Sequence, residues 1–188
     1  GASMGMVHGF DISIKDGKNV GVIGDSTMLH TGINNIINMV HNNGISKIIV
    51  LDNGITAMTG HQTNPASNVN IRGEKVAPFD FEKIFKAMGV EDVITIDAYN
   101  YRLLKKKILE KNKTMQIIVV KRQCSLKQPK KKNYVITDKC IQCRACLKLA
   151  CPAITVNKGG NIKILDYFCT GCSICSQVCP KGAIEEAI

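Results

Sequence analysis

Two cysteine runs constrain this chain more than any other feature. Cys140-x2-Cys143-x2-Cys146-x4-Cys151-Pro152 and Cys169-x2-Cys172-x2-Cys175-x3-Cys179-Pro180 begin 29 residues apart and hold eight of the nine cysteines in a sequence of 188 residues. An Ala-Ile pair follows each run, and between them "ITVNKGGNIKIL" reads as a hairpin turning at Gly159-Gly160. A two-fold repeat this small buries too little apolar surface to hold itself together, so the cysteines must act as its staple. An oxidised, secreted scaffold spreads and pairs its cysteines, whereas these cluster in tight repeats, which points to metal and a reducing compartment. Zinc sites use a C-x2-C pair with a distant second pair. Three cysteines at x2 spacing instead present three thiolates to three irons of a cube, and the cysteine before proline completes the other cube. Two [4Fe–4S] clusters are therefore expected, in preference to zinc or disulfides. The first copy is one residue longer before Cys151, which leaves the local backbone path open but not the ligand. Cys124 fits neither run and is read as an ordinary buried or linker cysteine.

Ahead of the cysteines, strand and helix signals alternate. "NVGVIG" (19–24), "KIIVLD" (47–52), "DVITID" (92–97) and "QIIVVK" (116–121) read as buried strands. Between them, Ile33, Ile36, Ile37 and Val40 recur at helical spacing, and "HNNG" ends that helix at Gly44. Asp80 is placed to cap a helix whose apolar face is Phe81, Ile84, Phe85 and Met88, and "YNYRLLKKKILEKN" is a basic amphipathic helix. Continuously apolar strands between helices predict a parallel sheet covered on both faces. A hydrophobic content of 45% is enough to build its core.

No stretch approaches the ~20 apolar residues of a membrane span, and "GASMGMVHGF" lacks the basic-then-apolar pattern of a signal peptide. A cytoplasmic, anaerobic or reducing location is expected, with no membrane partner. The absence of Met at position 1 is read as processing or as a piece of a longer chain. The net charge of +10 raises the question of nucleic acid. Its distribution argues otherwise: residues 1–120 carry 13 Lys/Arg against 11 Asp/Glu, residues 121–134 carry 6 against 0, and residues 135–188 carry 6 against 4. Most of the excess sits in "KRQCSLKQPKKKNY", read as a solvated linker or a docking segment for an acidic protein, and no nucleic-acid partner is expected. The domains are thus drawn as 1–122, a basic linker at 123–134, and 135–188.

Residues 53–78 form a long stretch rich in Gly, Asn, Thr and Pro, directly after a strand end, where ligands sit in open α/β sheets. A second signal lies at "GVIGDSTMLHTG" (21–32): a strand, a small polar turn and a helix start, a layout that suits phosphate, yet with Asp25 at its centre. Asp25 is read as a helix cap, as a ribose ligand (disfavoured, since no G-x-G-x-x-G precedes it), or as a ligand of a cation that neutralises a pyrophosphate. The last reading calls for a second oxygen ligand at a neighbouring strand end. Asn53 stands there, 28 residues on, one βαβ unit away.

Residues 135–188 resemble a bacterial-type two-cluster ferredoxin domain. The crossed ligation of that family assigns one cluster to Cys140, Cys143, Cys146 and Cys179, and the other to Cys169, Cys172, Cys175 and Cys151. "GDS" followed by "DN" resembles the thiamine diphosphate motif. That resemblance implies an α/β parallel-sheet thiamine diphosphate-binding domain in which Asp25, Asn53 and the Ile55 carbonyl hold Mg2+. Gly24, Ser26, Thr27 and Thr59 would line the diphosphate, and His30 and His61 would offer polar contacts near the thiazolium or substrate.

"GASMGMVHG", "GDSTMLHTG", "LDNGITAMTGHQTNP" and the double-cluster domain together resemble the C-terminal part of the large subunit of the indolepyruvate-type 2-oxo acid:ferredoxin oxidoreductases. Met28-Leu29 departs from that family, where aromatics are frequent, a change expected to bear on the substrate pocket. The resemblance implies oxidative decarboxylation of a 2-oxo acid, an arylpyruvate such as indolepyruvate, to an acyl-CoA and carbon dioxide, with electrons leaving through two [4Fe–4S] clusters to an external ferredoxin. It also implies partners: coenzyme A, a small subunit, and a pyrimidine domain that supplies the activating Glu. Nothing in this chain replaces that Glu, so the 188 residues alone are expected to be inactive. The competing expectation is a stand-alone dicluster electron-transfer module with a non-catalytic α/β domain.

Overall fold

A computed structural model describes residues 1–14, 18–129 and 131–187. They form two compact units, one of Gly1–Ala98 and Leu103–Cys124, the other of Tyr99–Arg102 and Ser125–Ile188.

The first unit is built on four strands: β1 (Val20–Gly24), β2 (Lys47–Asp52), β3 (Asp92–Asp97) and β4 (Gln116–Lys121). All pairings are parallel and the order is β1-β2-β4-β3. Helix α1 (Ala2–Ile14) precedes β1; α2 (Asp25–Thr27), a π-helical turn (Met28–Gly32) and α3 (Ile33–His41) link β1 to β2. Helix α4 (Phe81–Ala87) leads into β3 and α5 (Tyr101–Leu109) into β4. The Asp80 carboxylate accepts the Lys83 N–H, as its position before an apolar helix predicts.

One face of the sheet packs Ile23, Ile48, Val50, Ile117 and Val119 against Met4 and Val7 of α1, Ile36 and Met39 of α3, and Phe81 and Phe85 of α4. The other face packs Ile49, Ile96, Ile118 and Val120 against Leu103, Leu104 and Ile108 of α5. Cover on this second face is incomplete. Val20 and Val22 on β1 and Leu51 on β2 stay 39%, 47% and 47% exposed, because β1 is an edge strand and α5 reaches only the strands beside it. The expectation of a sheet covered on both faces therefore holds for β3, β4 and β2 as far as Ile49, and not for β1 or for Leu51 at the end of β2. Ile37, expected on the apolar side of α3, is also exposed.

Two buried polar groups fix this unit, and neither is evident from periodicity. Asp11 of α1 accepts Ser46 Oγ–H, the Ser46 and Ile45 N–H groups and the Asn19 amide, which ties α1 to the start of β2. Lys47, 2% exposed, donates its ammonium to the carbonyls of Lys107, Ile108 and Glu110, the otherwise unsatisfied acceptors at the end of α5. Burial holds its pKa below the ordinary 10.5.

The second unit pairs β5 (Tyr134–Ile136) with β8 (Ile184–Glu186), and β6 (Ile154–Val156) with β7 (Ile162–Ile164), both antiparallel. The β6–β7 pair is the hairpin expected around Gly159-Gly160, closed by the Asn157 carboxamide oxygen, which accepts the Gly159 and Asn161 N–H groups. A 3-10 helix (Ala145–Leu149) and α6 (Ile174–Val178) follow the equivalent points of the two cysteine runs.

Candidate cofactor and cluster sites

The carboxyl ends of β1 and β2 lie side by side, with Gly24 opposite Leu51. Asp25 leaves β1 as the first residue of α2 and is only 3% exposed. One of its oxygens accepts its neighbour's N–H, Ser26, at 2.7 Å. The other, Oδ2, accepts the Gly54 N–H from beyond β2 at 2.9 Å. Gly54 is flanked by Asn53 and Ile55, and the Asn53 Oδ1 accepts the Ile55 N–H at 3.0 Å, folding the loop into an Asx turn. Asp25, Asn53 and Ile55 are thus brought to one place.

Four further residues complete this corner, none of them anticipated from the sequence. Asn64 donates to Asp25 Oδ2 and to Thr56 Oγ1, both at 3.4 Å. Thr56 donates to Ser26 Oγ at 3.0 Å. Ser67, buried, donates to the Gly54 carbonyl at 2.6 Å and accepts the Asn64 N–H. Asp52, 3% exposed, accepts the Gly54 N–H at 3.1 Å and faces Lys121 at 3.5 Å. Burial raises its pKa against the pull of Lys121, and the Asp25 charge adds to the rise. The long stretch after β2 is therefore an ordered loop stitched by Asn, Ser and Thr side chains, with short antiparallel bridges at Thr56–Gln62 and Val69–Lys75. The sole hint in the sequence was its richness in residues whose side chains bond nearby backbone.

Other expected site residues divide. Gly24 and Ser26 stand at the corner. Thr27 is exposed, and its carbonyl accepts Thr31 Oγ. Thr59 is exposed and turns to Gln62, to which it donates at 2.7 Å. His30 is exposed and its Nδ1 lies 2.6 Å from the Ser26 carbonyl. His61 has φ 63° and a buried Nε2 with no hydrogen-bond partner among the described residues. Met28 is fully buried in the main core and Leu29 packs against that core. The π-helical turn makes this possible: Gly32 sits where a Cβ would come within 2.6 Å of the Met28 sulfur. Such turns recur near functional sites.

In the second unit the eight run cysteines divide into two sets of four. Cys140, Cys143, Cys146 and Cys179 line one cavity; Cys151, Cys169, Cys172 and Cys175 line another, of about 210 Å³. Matching left-handed residues shape the two cradles: Gln142 and Arg144 (φ 54° and 60°), Gly171 and Ser173 (φ 67° and 62°). Non-glycine residues hold such φ values only where their surroundings impose them. The extra residue of the first run is absorbed at Ala150, φ 50°, between the 3-10 helix and Cys151. At Gly171 the conformation demands glycine twice over: φ is positive, and a Cβ would meet the Lys132 carbonyl at 2.5 Å and Lys131 Cβ at 2.6 Å. The Ala183 N–H points at Cys179 Sγ, 3.2 Å away. Burial raises the Cys146 pKa, and burial together with the neighbouring Cys172 and Cys169 pushes Cys175 up to about 11. Among the described residues no three His, Cys, Asp or Glu side chains close on a single ion-sized point. The thiols surround volumes instead. Cys124, of intermediate burial, joins neither set; its N–H donates to the Asn53 carbonyl.

A carboxylate buried where two parallel strands end, beside a turn of oxygen donors, agrees with the comparison of families. The chain belongs to the thiamine pyrophosphate enzymes, its residues 1–120 matching their "C-terminal TPP binding domain". Residues 162–185 match the 4Fe-4S binding domain.

More particularly, the chain is similar along almost its whole length to the indolepyruvate oxidoreductase subunit IorA of several archaea. It is 37% identical to that of Methanothermobacter marburgensis over 98% of this chain and 31% of that protein. It is 31% identical to that of Archaeoglobus fulgidus over 100% of this chain and 31% of that protein. The chain thus spans about a third of the length of these relatives. The pyruvate synthase subunit PorD of Thermotoga maritima is 46% identical over 50 residues, 26% of this chain and 50% of that protein. The fold is similar to a solved 2-oxoglutarate:ferredoxin oxidoreductase from Magnetococcus marinus, with a TM-score of 0.53 and 19% identity over 64% of this chain and 44% of that one. No helix among the described residues is long and apolar enough to cross a membrane.

Proposed function

We propose that this chain is the cofactor-anchoring and electron-outlet portion of an indolepyruvate-type 2-oxo acid:ferredoxin oxidoreductase. The observation that carries the reading is the Asp25–Gly54 junction: a buried carboxylate held against the Asn53–Ile55 turn, in a chain that also carries two four-thiol cradles.

The residues fit the groups. Mg2+ takes hard oxygen ligands, few from protein and the rest from phosphate and water. The Asp25 carboxylate, the Asn53 amide oxygen and the Ile55 carbonyl make such a set, and Asn64 steadies the carboxylate from behind. The orphaned Nε2 of His61 fits a polar contact to the bound cofactor or substrate. Two sets of four thiols, each lining its own cavity, fit the two [4Fe–4S] cubes that the cysteine spacing predicts. Thiols held in the protonated form must release their protons as a cluster assembles, so assembly is favoured by alkaline pH.

When bound, thiamine diphosphate supplies the electron sink through which a 2-oxo acid loses carbon dioxide, and the clusters supply one-electron acceptors. The protein's part is positional. Asp25 and Asn53 hold the cation that neutralises the diphosphate; Ser26, Thr56 and Asn64 keep the corner rigid. The two thiol sets hold the outlet toward an external ferredoxin. The acyl group passes to coenzyme A. Neither a small subunit nor the pyrimidine domain with its activating Glu is supplied by these residues.

The test is direct. The chain, loaded anaerobically with iron and sulfide, is expected to hold close to eight irons and to bind thiamine diphosphate only when Mg2+ is present. Alone it is expected not to oxidise indolepyruvate. Cofactor binding indifferent to Mg2+, or appreciable turnover by the isolated chain, overturns the reading.

A further inference from the structure

The two cradles share their backbone turns but differ in what lies over them. In the second, the residue in the left-handed turn, Gly171, is buried beneath the Lys131–Lys132 backbone, and no charged side chain lines the cavity, whose walls include Tyr134, Leu149 and Phe168. In the first, the equivalent residue, Gln142, is exposed, as is Cys143 itself. Gln142 is held from below, its carboxamide oxygen accepting the Ile162 N–H at 2.9 Å. Around Cys143 stand Ile141, 58% exposed, and two exposed cations that line the cavity, Arg144 and Lys181, with no carboxylate among the lining residues.

An exposed thiol ligand with an apolar neighbour and a cationic rim has the make-up of a transient docking site. The apolar contact excludes water, and the charges steer an oppositely charged partner and fix its approach. Electron transfer needs close approach to a cluster, and of the eight run cysteines Cys143 is the exposed one.

We propose that an acidic electron-carrier protein docks on the face formed by Ile141, Cys143, Arg144 and Lys181, so that the cluster at Cys140, Cys143, Cys146 and Cys179 is the one that meets the external acceptor. This rests on the two-cluster reading above. It goes further by naming the cradle and the charges that recognise the partner. Each transfer moves one electron: the cluster of this chain is oxidised by one unit and the carrier's centre is reduced by one.

The test uses the cluster-loaded chain reduced with dithionite, mixed by stopped flow with an acidic two-[4Fe–4S] ferredoxin, with basic cytochrome c, and with neutral metronidazole. Arg144→Glu/Lys181→Glu is compared with wild type and with Lys158→Glu/Lys163→Glu, exposed positions on and beside the β6–β7 turn. Electrostatic steering is worth about tenfold or more in association rate. The first variant is therefore expected to slow ferredoxin reduction at least about tenfold at low salt, flatten its salt dependence, and leave metronidazole unaffected, while cytochrome c speeds up. The control pair is expected to leave the ferredoxin rate within about twofold. An unchanged ferredoxin rate, or equal slowing with all three acceptors, overturns the docking face. Absence of cluster signals in wild type by electron paramagnetic resonance overturns the cluster reading instead, and the docking face with it.

Discussion

Asp25 Oδ2 accepts the Gly54 N–H at 2.9 Å, a hydrogen bond that joins the ends of two neighbouring parallel strands across 29 residues of sequence. The bond presets the loop. Gly54 cannot move without pulling on the carboxylate, so under the proposed reading the Asn53 and Ile55 oxygens would be placed before a cation arrives. Asp25→Asn keeps the shape and removes the charge. It is expected to weaken Mg2+-dependent binding of thiamine diphosphate on the order of 100-fold, with thermal unfolding little changed. Calorimetric titration with and without Mg2+ measures this, and equal affinities for variant and wild type would falsify the assignment.

Asn64 touches Asp25 and Thr56 and folds its own loop by accepting the Ala66 N–H at 2.8 Å. Under the proposed reading it acts through the carboxylate rather than on the cofactor. Asn64→Ala is expected to cost about tenfold in the same titration and about 1–2 kcal/mol in stability. Asn64→Asp retains the bond to Ala66 but sets a second negative charge beside Asp25. It should recover most of the stability and none of the affinity. A variant that recovers both places Asn64 in the fold alone.

Gly171 has no space for a methyl group. Gly171→Ala must move the Lys131–Lys132 backbone and hold φ 67° with a Cβ. About 2 kcal/mol or more of destabilisation follows from overpacking and left-handed strain together. Uptake of the second four irons should fail before that of the first, which iron analysis and electron paramagnetic resonance resolve. Gln142→Ala at the matching point of the open cradle should leave both sets able to take up iron; loss of the same iron from both variants contradicts two separate cradles.

Lys47 spans the interior to reach the end of α5. Replacing it with Met leaves three carbonyls short of a donor, at a cost of about 1.5–3 kcal/mol. The pH dependence has a definite sign. Burial lowers the folded-state pKa below 10.5, so in the interval between that lowered value and 10.5 the unfolded chain holds the proton more firmly. Stability contributed by Lys47 therefore rises with pH across that interval. Denaturant unfolding from pH 8 to 10.5 should show the gap between wild type and Lys47→Met widening; a gap that narrows contradicts the buried ammonium.

The elements were legible in the sequence because their signals are local. Strand runs, the Asp80 cap and the Gly159-Gly160 hairpin all lie within a few residues of what they determine. That the loop after β2 would reach Asp25 was legible because one βαβ unit sets the ends of its two strands side by side. The supporting corner was not: Thr56, Asn64 and Ser67 act through bonds across a loop with no periodicity to reveal its path. Lys47 opens an apolar strand and reads as a solvated end, since nothing local shows that α5 finishes above it. Thr27 and Thr59 were expected at the diphosphate from the resemblance; Thr59 turns its hydroxyl to Gln62, and Thr27 is exposed with its carbonyl accepting Thr31 Oγ. Val20 and Val22 were expected in the core because an apolar strand looks the same at an edge as in the middle.

Ala150 has a consequence for the history of the repeat. The surplus residue of the first run is spent in a single left-handed turn, and Cys151 still arrives at the wall it shares with Cys169, Cys172 and Cys175. A doubled motif can therefore lose its metrical symmetry while its sulfurs keep their stations. In such a unit, ancestry is recorded in where the sulfurs stand, and divergence in the slack of the thread between them.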